Sequence, residues 1–547
     1  MATRSGCSVA GPRRGILVAL ALVAVAGTSA PRVASALHTD EQLGFSMQTP
    51  SGWKQIPIAS EEKFIVAKYL CEREYADKKE GRTHTPDLKV LVFPKGAKKT
   101  AQVEKDGDTS LIHIENPYKD YPDYVKSDNT GGGHFISKED KVVVNGIDAT
   151  WYEVKYEKLT VARRAIAFAY HADDCDYVAQ YEVLESYWDK LSPNLITSLK
   201  SFKIFPRKGS IKREVTGDGS GVSVTKGEGK LTDEERAKKR QEKFEQRVRV
   251  AQERLPEGWK MKRSKNFVAF THVDARYTDY VLDQAEALRT WLDANFGWIG
   301  TGYVSGDVIR ICADSAEESA FRDTSARSGW VTEITMSRTG GFYEFRSLND
   351  RVRERYFRER NQEFGFAMPP WLSRGLDQMI SSSYMKGGKL EFRADGQEIL
   401  AVRLAAKAGK LAKPKDIVLA TYKPFDQSSF SSDPMRMKPS EDPLDQAPGF
   451  VRWLVLGPGA KNPRTKELLR TYVEALLGVE RTVIFDSSKV AEEPKTEEEE
   501  EERFKNRQSA WRDNEKERLQ QVFDKVFGQW TEADWAAVEK SYTAYVS

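Results

Sequence analysis

Histidine is scarce in this 547-residue chain, with six in all and none after His272. No two stand at metal-ligand spacing, so a His-Glu-x-x-His zinc site is excluded as the chain stands. Four cysteines, at 7, 71, 175 and 312, leave little room for thiol chemistry. Cys312 closes the alternating run Val308-Ile309-Arg310-Ile311-Cys312 with no histidine near it, which reads as a core strand position and not a nucleophile. A Gly-x-Ser-x-Gly nucleophile elbow is missing as well. Neither sign of charge dominates: 85 basic residues face 82 acidic ones, for a net +3. Such a balance argues against nucleic acid or an anionic membrane surface as the main partner. Beyond residue 36 no apolar run approaches the ~20 residues a spanning helix needs.

What is present describes a folded protein. Hydrophobic residues make up 39% and aromatics 11%, and the length suits two or three domains, each with its own core. The first 36 residues read as an export leader. Arg4, Arg13 and Arg14 form a basic start, Gly15 to Ala26 a short apolar stretch, and Ala34-Ser35-Ala36 a small-x-small cleavage site, with Thr28-Ser29-Ala30 as a second choice. The mature chain is expected to begin at Leu37, in the periplasm or outside the cell. Export would permit a disulfide between Cys71 and Cys175; two buried thiols are the alternative reading.

Residues 37–205 are expected to form an α+β domain. Strands are read at Phe64 to Leu70, Leu88 to Phe93, Lys141 to Val144, Thr150 to Tyr156, Arg163 to His171 and Asp176 to Glu182. Asn145-Gly146 marks a two-residue hairpin turn. Apolar spacing from Tyr187 to Phe202 predicts a helix on the sheet. His84, His113, His134 and His171 are scattered through the domain as surface or core residues, without metal-ligand spacing. Residues 206–230, rich in glycine and lysine, read as a linker. Thr232-Asp233-Glu234-Glu235 then caps a charged connecting helix, 231–254, expected to be solvated.

The remainder, 255–547, reads as strands at Phe267 to His272 and Val308 to Cys312, a further pair at Val331 to Met336 and Gly341 to Phe345, and helices at Asp279 to Phe296 and Leu348 to Phe364. Met368-Pro369-Pro370-Trp371-Leu372-Ser373-Arg374-Gly375-Leu376-Asp377-Gln378 follows. After it come a long surface loop at Lys423 to Gly449, a helix at Thr465 to Leu477, six consecutive glutamates at 497–502, and a closing helix from Trp530 to Tyr545 capped by Thr531.

Two stretches carry family resemblances. Phe45 to Trp53 and Ser201-Phe202 are similar to the opening and closing motifs of Mog1/PsbP-like α/β sandwiches, which implies a binding or assembly module. The segment Pro369 to Gln378 resembles the Pro-x-Trp-Leu-x-Glu-Gly-Leu segment of gluzincins, the thermolysin-type zinc peptidases of the peptidase-MA-like group. In that family the glutamate before Gly-Leu is the third zinc ligand; here it is Arg374. Laying the family's His-Glu-x-x-His over Arg353-Glu354-Arg355-Tyr356-Phe357 puts Glu354 at the catalytic glutamate. Arg353 and Phe357 then stand where the two histidines would be, although a shift of a few residues is possible. Guanidinium groups repel a cation, so the resemblance implies a fold without zinc or any other cofactor. Arginines at such positions could instead pair with Glu354, Glu359 or Asp377.

The expectation is therefore an α+β, multidomain protein. A sandwich precedes a mostly helical, gluzincin-like domain with a small sheet. The reading it favours is an exported pseudopeptidase that binds or scaffolds an envelope protein or peptide, with no catalytic residue, no metal and no nucleic-acid partner. Two alternatives stay open: an active hydrolase of the group with a non-standard site, and a structural envelope protein acting through its first domain.

Overall fold

The computed structural model describes residues 37–59, 62, 64–77, 79, 81–96, 101–106, 109–114, 118–127, 135–158, 161–211, 232–253, 255–322, 333–340, 344–361, 364–365, 368–393, 397–421, 440–479 and 513–547. The leader, most of the linker and the glutamate run lie outside them. None of the described helices is long and apolar enough to cross a membrane. The architecture is α+β and multidomain, as expected.

The first domain is an antiparallel seven-stranded sheet. Its strands are β3 (Trp53–Ile56), β4 (Ile65–Cys71), β5 (Asp87–Pro94), β6 (Phe135–Val144), β7 (Ile147–Lys158), β8 (Val161–His171) and β9 (Cys175–Leu184), ordered β6-β7-β8-β9-β5-β4-β3. A smaller sheet pairs β1 (Leu37–Asp40), β2 (Phe45–Gln48) and β10 (Lys203–Ile204). The Asn145-Gly146 turn joins β6 to β7, and both residues adopt positive φ, +53° and +79°, as a type I′ turn requires.

Both faces of the large sheet are covered. On one, helix α2 (Trp188–Lys200) buries Leu195 and Leu199 against Phe168, Tyr170 and Tyr181. On the other, the alternating residues Ala165, Ala167 and Ala169 of β8 leave a furrow. Helix α1 (Tyr121–Ser127) fills it with Tyr121 and Tyr124.

The expected disulfide is not formed. Cys71 and Cys175 are free thiols. Cys175 is the register partner of Pro94, at the far end of β5, whereas the Cys71 amide bonds Pro86, just before that strand begins. Eight residues of strand at ~3.3 Å each separate those ends by ~26 Å, far beyond the ~7 Å limit between bridged Cα atoms.

The second domain starts earlier than expected. Helix α3 (Asp233–Gln252) does open on the Thr232 capping box, but it is not a solvated connector. Its Phe244, Val248 and Ala251 pack on Val268, Phe270 and Val308 of a four-stranded sheet. That sheet runs β11 (Lys260–Arg263), β12 (Phe267–Thr271), β13 (Asp307–Cys312) and β14 (Ile334–Ser337), with the last three parallel. Helices α4 (Ala275–Phe296) and α5 (Ser315–Arg322) make the crossovers. Cys312 is fully buried, and so is Arg310, whose Nη2 pairs with Glu333 at 2.8 Å.

Arginines hold the connection from α4 to β13. Arg360 donates to the carbonyls of Gly297 and Gly302, Arg240 to Tyr303 (2.6 Å), Arg289 to Val304 (3.1 Å) and Arg247 to Gly306 (3.0 Å).

Beyond the sheet the domain is helical. It comprises α6 (Arg346–Arg360), α7 (Pro370–Ser381), the hairpin β15 (Ser383–Lys386) and β16 (Lys389–Phe392), α8 (Gln397–Lys407), α9 (Pro414–Val418), α10 (Pro443–Val455), α11 (Leu468–Leu477), α12 (513–527) and α13 (Glu532–Val546). The loop expected to reach Gly449 is helical from Pro443, because Asp442 caps the helix and Pro443 sits at its first position. The described residues of the strand expected at 341–345, Glu344 and Phe345, are not in a strand; they precede α6.

Candidate functional site

Helices α6 and α7 carry the positions that the peptidase resemblance singles out. Pro369 and Pro370 fix the entry to α7, since proline's locked φ suits a helix's first turn. Trp371 and Leu372 are buried anchors, Trp371 lying against Phe450 and Tyr472. At Gly375 the helix touches α10 so closely that a Cβ there would meet Val451 Cγ2 at 2.2 Å.

The two helices are joined by polar contacts on one side. Asn349, fully buried, donates to the carbonyls of Ile380 (3.1 Å) and Ser383 (2.9 Å) and accepts from Gln284 (2.9 Å). One turn along α6, Arg353 donates to Asp377. Asp350, also on this side, lies near Arg346 (3.7 Å). Burial and the Asp377 charge push the Asp350 carboxyl up to about 7, against the pull of Arg353.

The four motif positions do not converge. Arg353 reaches Asp377, but Glu354 pairs with Arg351 at 3.2 Å. Phe357 is buried in the core against Phe296 and Phe364. Arg374 contacts Asp445 of α10 at 3.4 Å. Of the partners foreseen for the arginines, Asp377 pairs with Arg353, while Glu359 pairs with Arg355. Asp350 was missed, although its position three residues before Arg353 on a helix was a readable signal.

Zinc would need three nitrogen, oxygen or sulfur donors at ~2.0–2.3 Å. Two guanidinium groups and a phenyl ring supply none, so these residues do not fit the ion. Among the described residues, no three His, Cys, Asp or Glu side chains are grouped to hold a metal.

The sandwich holds a second polar group of residues. Lys68 and Lys89 are register partners on β4 and β5, both buried. Lys68 binds Glu62 at 2.7 Å in a pair almost free of solvent, and burial pushes its ammonium down. Beside them Asp87 faces Glu182, which takes a hydrogen bond from Arg163 and lies 3.9 Å from His84. Both lysines sit inside apolar runs, and that was the overlooked cue.

Lys68 also reaches the other domain, donating to the Ala320 carbonyl of α5 at 2.9 Å. Ile56 and Leu70 pack there on Ala316 and Ala320, and Lys54 stands 3.7 Å from Asp314. Glu317 of the same helix accepts from His272 at 2.9 Å, and that imidazole stacks on Trp259. His84 and His171 are both described; the side chain of His113 and all of His134 lie outside the described residues.

No family model matches the chain, and no curated protein does. Solved structures give partial likenesses. PsbP from the cyanobacterium Synechocystis sp. PCC 6803 is similar at 14% identity and a TM-score of 0.22, over 34% of this chain and 99% of that one. LpqN from Mycobacterium tuberculosis, described as involved in cell envelope biogenesis, is similar at 13% identity and a TM-score of 0.21, over 31% of this chain and 91% of that one. A protein of unknown function from Pseudomonas aeruginosa gives 9% identity and a TM-score of 0.17, over 32% and 98%. At these scores they lend the chain no function.

Proposed function

We propose that the chain is an exported binding or scaffolding protein of the cell envelope, with a second domain that keeps a peptidase-like helical frame and has lost its zinc chemistry. The observation that carries this is the Arg353–Asp377 pair, which ties α6 to α7 where the resemblance would place a metal. A hydrogen bond between ionised groups can do the joining work of a cation without offering it a ligand. Phe357 in the core and Arg374 on Asp445 support the same reading. The leader-like start supports an exported location, and the likeness of Phe45 to Trp53 and Ser201-Phe202 to motifs of binding modules supports the role.

Elemental analysis of the purified full-length mature chain, alongside casein hydrolysis with and without a chelator, tests the proposal. The expected result is less than stoichiometric zinc and no chelator-sensitive hydrolysis. One zinc per chain with activity lost on chelation would overturn it in favour of a hydrolase with a non-standard site.

A further inference from the structure

Three side chains on neighbouring strands of the sandwich line up as hydroxyl, imidazole and carboxylate. Thr150 on β7 is the register partner of Ala169 on β8, and His171, two residues on, is the partner of Asp176 on β9. Strand alternation therefore puts Thr150, His171 and Asp176 on one face. Thr150 Oγ1 lies 3.0 Å from His171 Nε2, and His171 Nδ1 lies 2.9 Å from Asp176 Oδ1.

The chemistry fixes the direction of these bonds. In the neutral imidazole a carboxylate partner, which only accepts, requires the proton on Nδ1, and Nε2 then presents its lone pair to the threonine hydroxyl. A hydroxyl donating to an imidazole that a carboxylate orients is the arrangement that makes an alcohol nucleophilic.

Two further groups flank the hydroxyl. Tyr152, two residues along β7 on the same face, is buried, and burial pushes its phenol up to about 12, so it stays a proton donor. Lys141, the register partner of Thr150 on β6, is exposed on that face too. Both could face an oxygen on which negative charge develops. Thr150 is only 8% exposed, so a substrate must enter at the end of the sheet past His171, the last residue of β8, whose side chain is 35% exposed. No sequence spacing announces the constellation, because residues 150, 171 and 176 meet only through sheet register.

We propose that Thr150 is a nucleophile for acyl transfer from esters, with His171 as its general base and Asp176 as the positioning residue. Thr150 Oγ bonds to the ester carbonyl carbon as His171 Nε2 takes the hydroxyl proton. The tetrahedral oxyanion forms toward Tyr152 and Lys141. The bond to the leaving alcohol then breaks, and His171 returns the proton to that oxygen. Water, deprotonated by His171, cleaves acyl-Thr150 to a carboxylic acid and restores the hydroxyl. The inference concerns the first domain and is independent of the zinc-less reading of the second.

The test uses the full mature chain with p-nitrophenyl acetate, and a fluorophosphonate probe followed by peptide mass mapping. Thr150→Val, which keeps the shape and removes the hydroxyl, should slow p-nitrophenolate release by about tenfold or more, in line with the ~10²–10⁴ a positioned base contributes. Circular dichroism of Thr150→Val should match wild type, which guards against a variant that merely misfolds, and Thr150→Ser should recover the release that the valine loses. Asp176→Asn should reduce the rate and alter its pH profile while circular dichroism stays native. The probe should map to Thr150. Equal release by wild type and a folded Thr150→Val, or a label found only on lysines, would overturn the proposal.

Discussion

Replacing Gly375 by alanine sets two effects against each other, and the geometry decides between them. Alanine is the better helix former by ~1 kcal/mol, and Gly375 lies within α7, so propensity alone predicts stabilisation. The new Cβ would lie 2.2 Å from Val451 Cγ2, 2.6 Å from Val451 Cβ and 3.1 Å from the Ala447 carbonyl oxygen. Carbon atoms in contact normally sit ~3.5–4.0 Å apart, so α7 and α10 would have to part by ~1.3 Å or more. That shift would disturb Trp371, Phe450 and Val451, all fully buried. Overpacking of this kind costs ~1–3 kcal/mol and sometimes more, which leaves a net loss of up to ~2 kcal/mol after the propensity gain. Urea unfolding followed by tryptophan fluorescence should show an earlier midpoint for the transition that reports Trp371 and Trp453. Val451→Ala should rescue only partly, since the valine Cβ remains at 2.6 Å, whereas Val451→Gly removes that contact. A higher midpoint for Gly375→Ala would refute the close helix contact and the reasoning built on it.

Asp350 should give the fold a pH dependence opposite to the usual carboxylate. Its pKa is raised from 3.8 to about 7, so the folded state holds a proton the unfolded state has lost, and stability falls as pH rises from about 4 to 7. At ~1.4 kcal/mol per pH unit the bound is ~4 kcal/mol, lowered by the 26% exposure of the side chain; Asp350→Asn should flatten the difference between melts at pH 5 and pH 8. Lys68→Ala removes the ammonium that Glu62 holds at 2.7 Å and should cost ~3–5 kcal/mol, with Lys68→Met/Glu62→Gln recovering most of it in a double-mutant cycle. Arg310→Ala should cost a similar amount in thermal melts, since its partner Glu333 is equally buried.

What could be read from the sequence is what rests on local signals. Asn145-Gly146, the Thr232 and Thr531 capping boxes and the buried strand ending in Cys312 all appear where composition and periodicity placed them. The misses share a cause, which is that tertiary partners were invisible. Helix α3 looked solvated because its few apolar residues are diluted by charge, yet Phe244, Val248 and Ala251 suffice to cover one side of a sheet. Cys71 and Cys175 looked like partners until strand register put them at opposite ends of β5. The chains of Lys68 and of Thr150 likewise depend on which residues face each other across strands, something that one-dimensional spacing does not encode.

The arginine-held segment between α4 and β13 carries a consequence for the order of folding. Four of its carbonyls are held by residues distant in the chain: Arg240 and Arg247 precede it by a helix and two strands, and Arg360 follows at the end of α6. Those bonds can close only after α3 and α6 have docked, so the segment should take its shape on the native side of the folding barrier. Truncating Arg247 should then hasten unfolding and leave the folding rate almost untouched, a φ-value near zero, whereas truncating Leu288 within the core packing of α4 should slow folding itself.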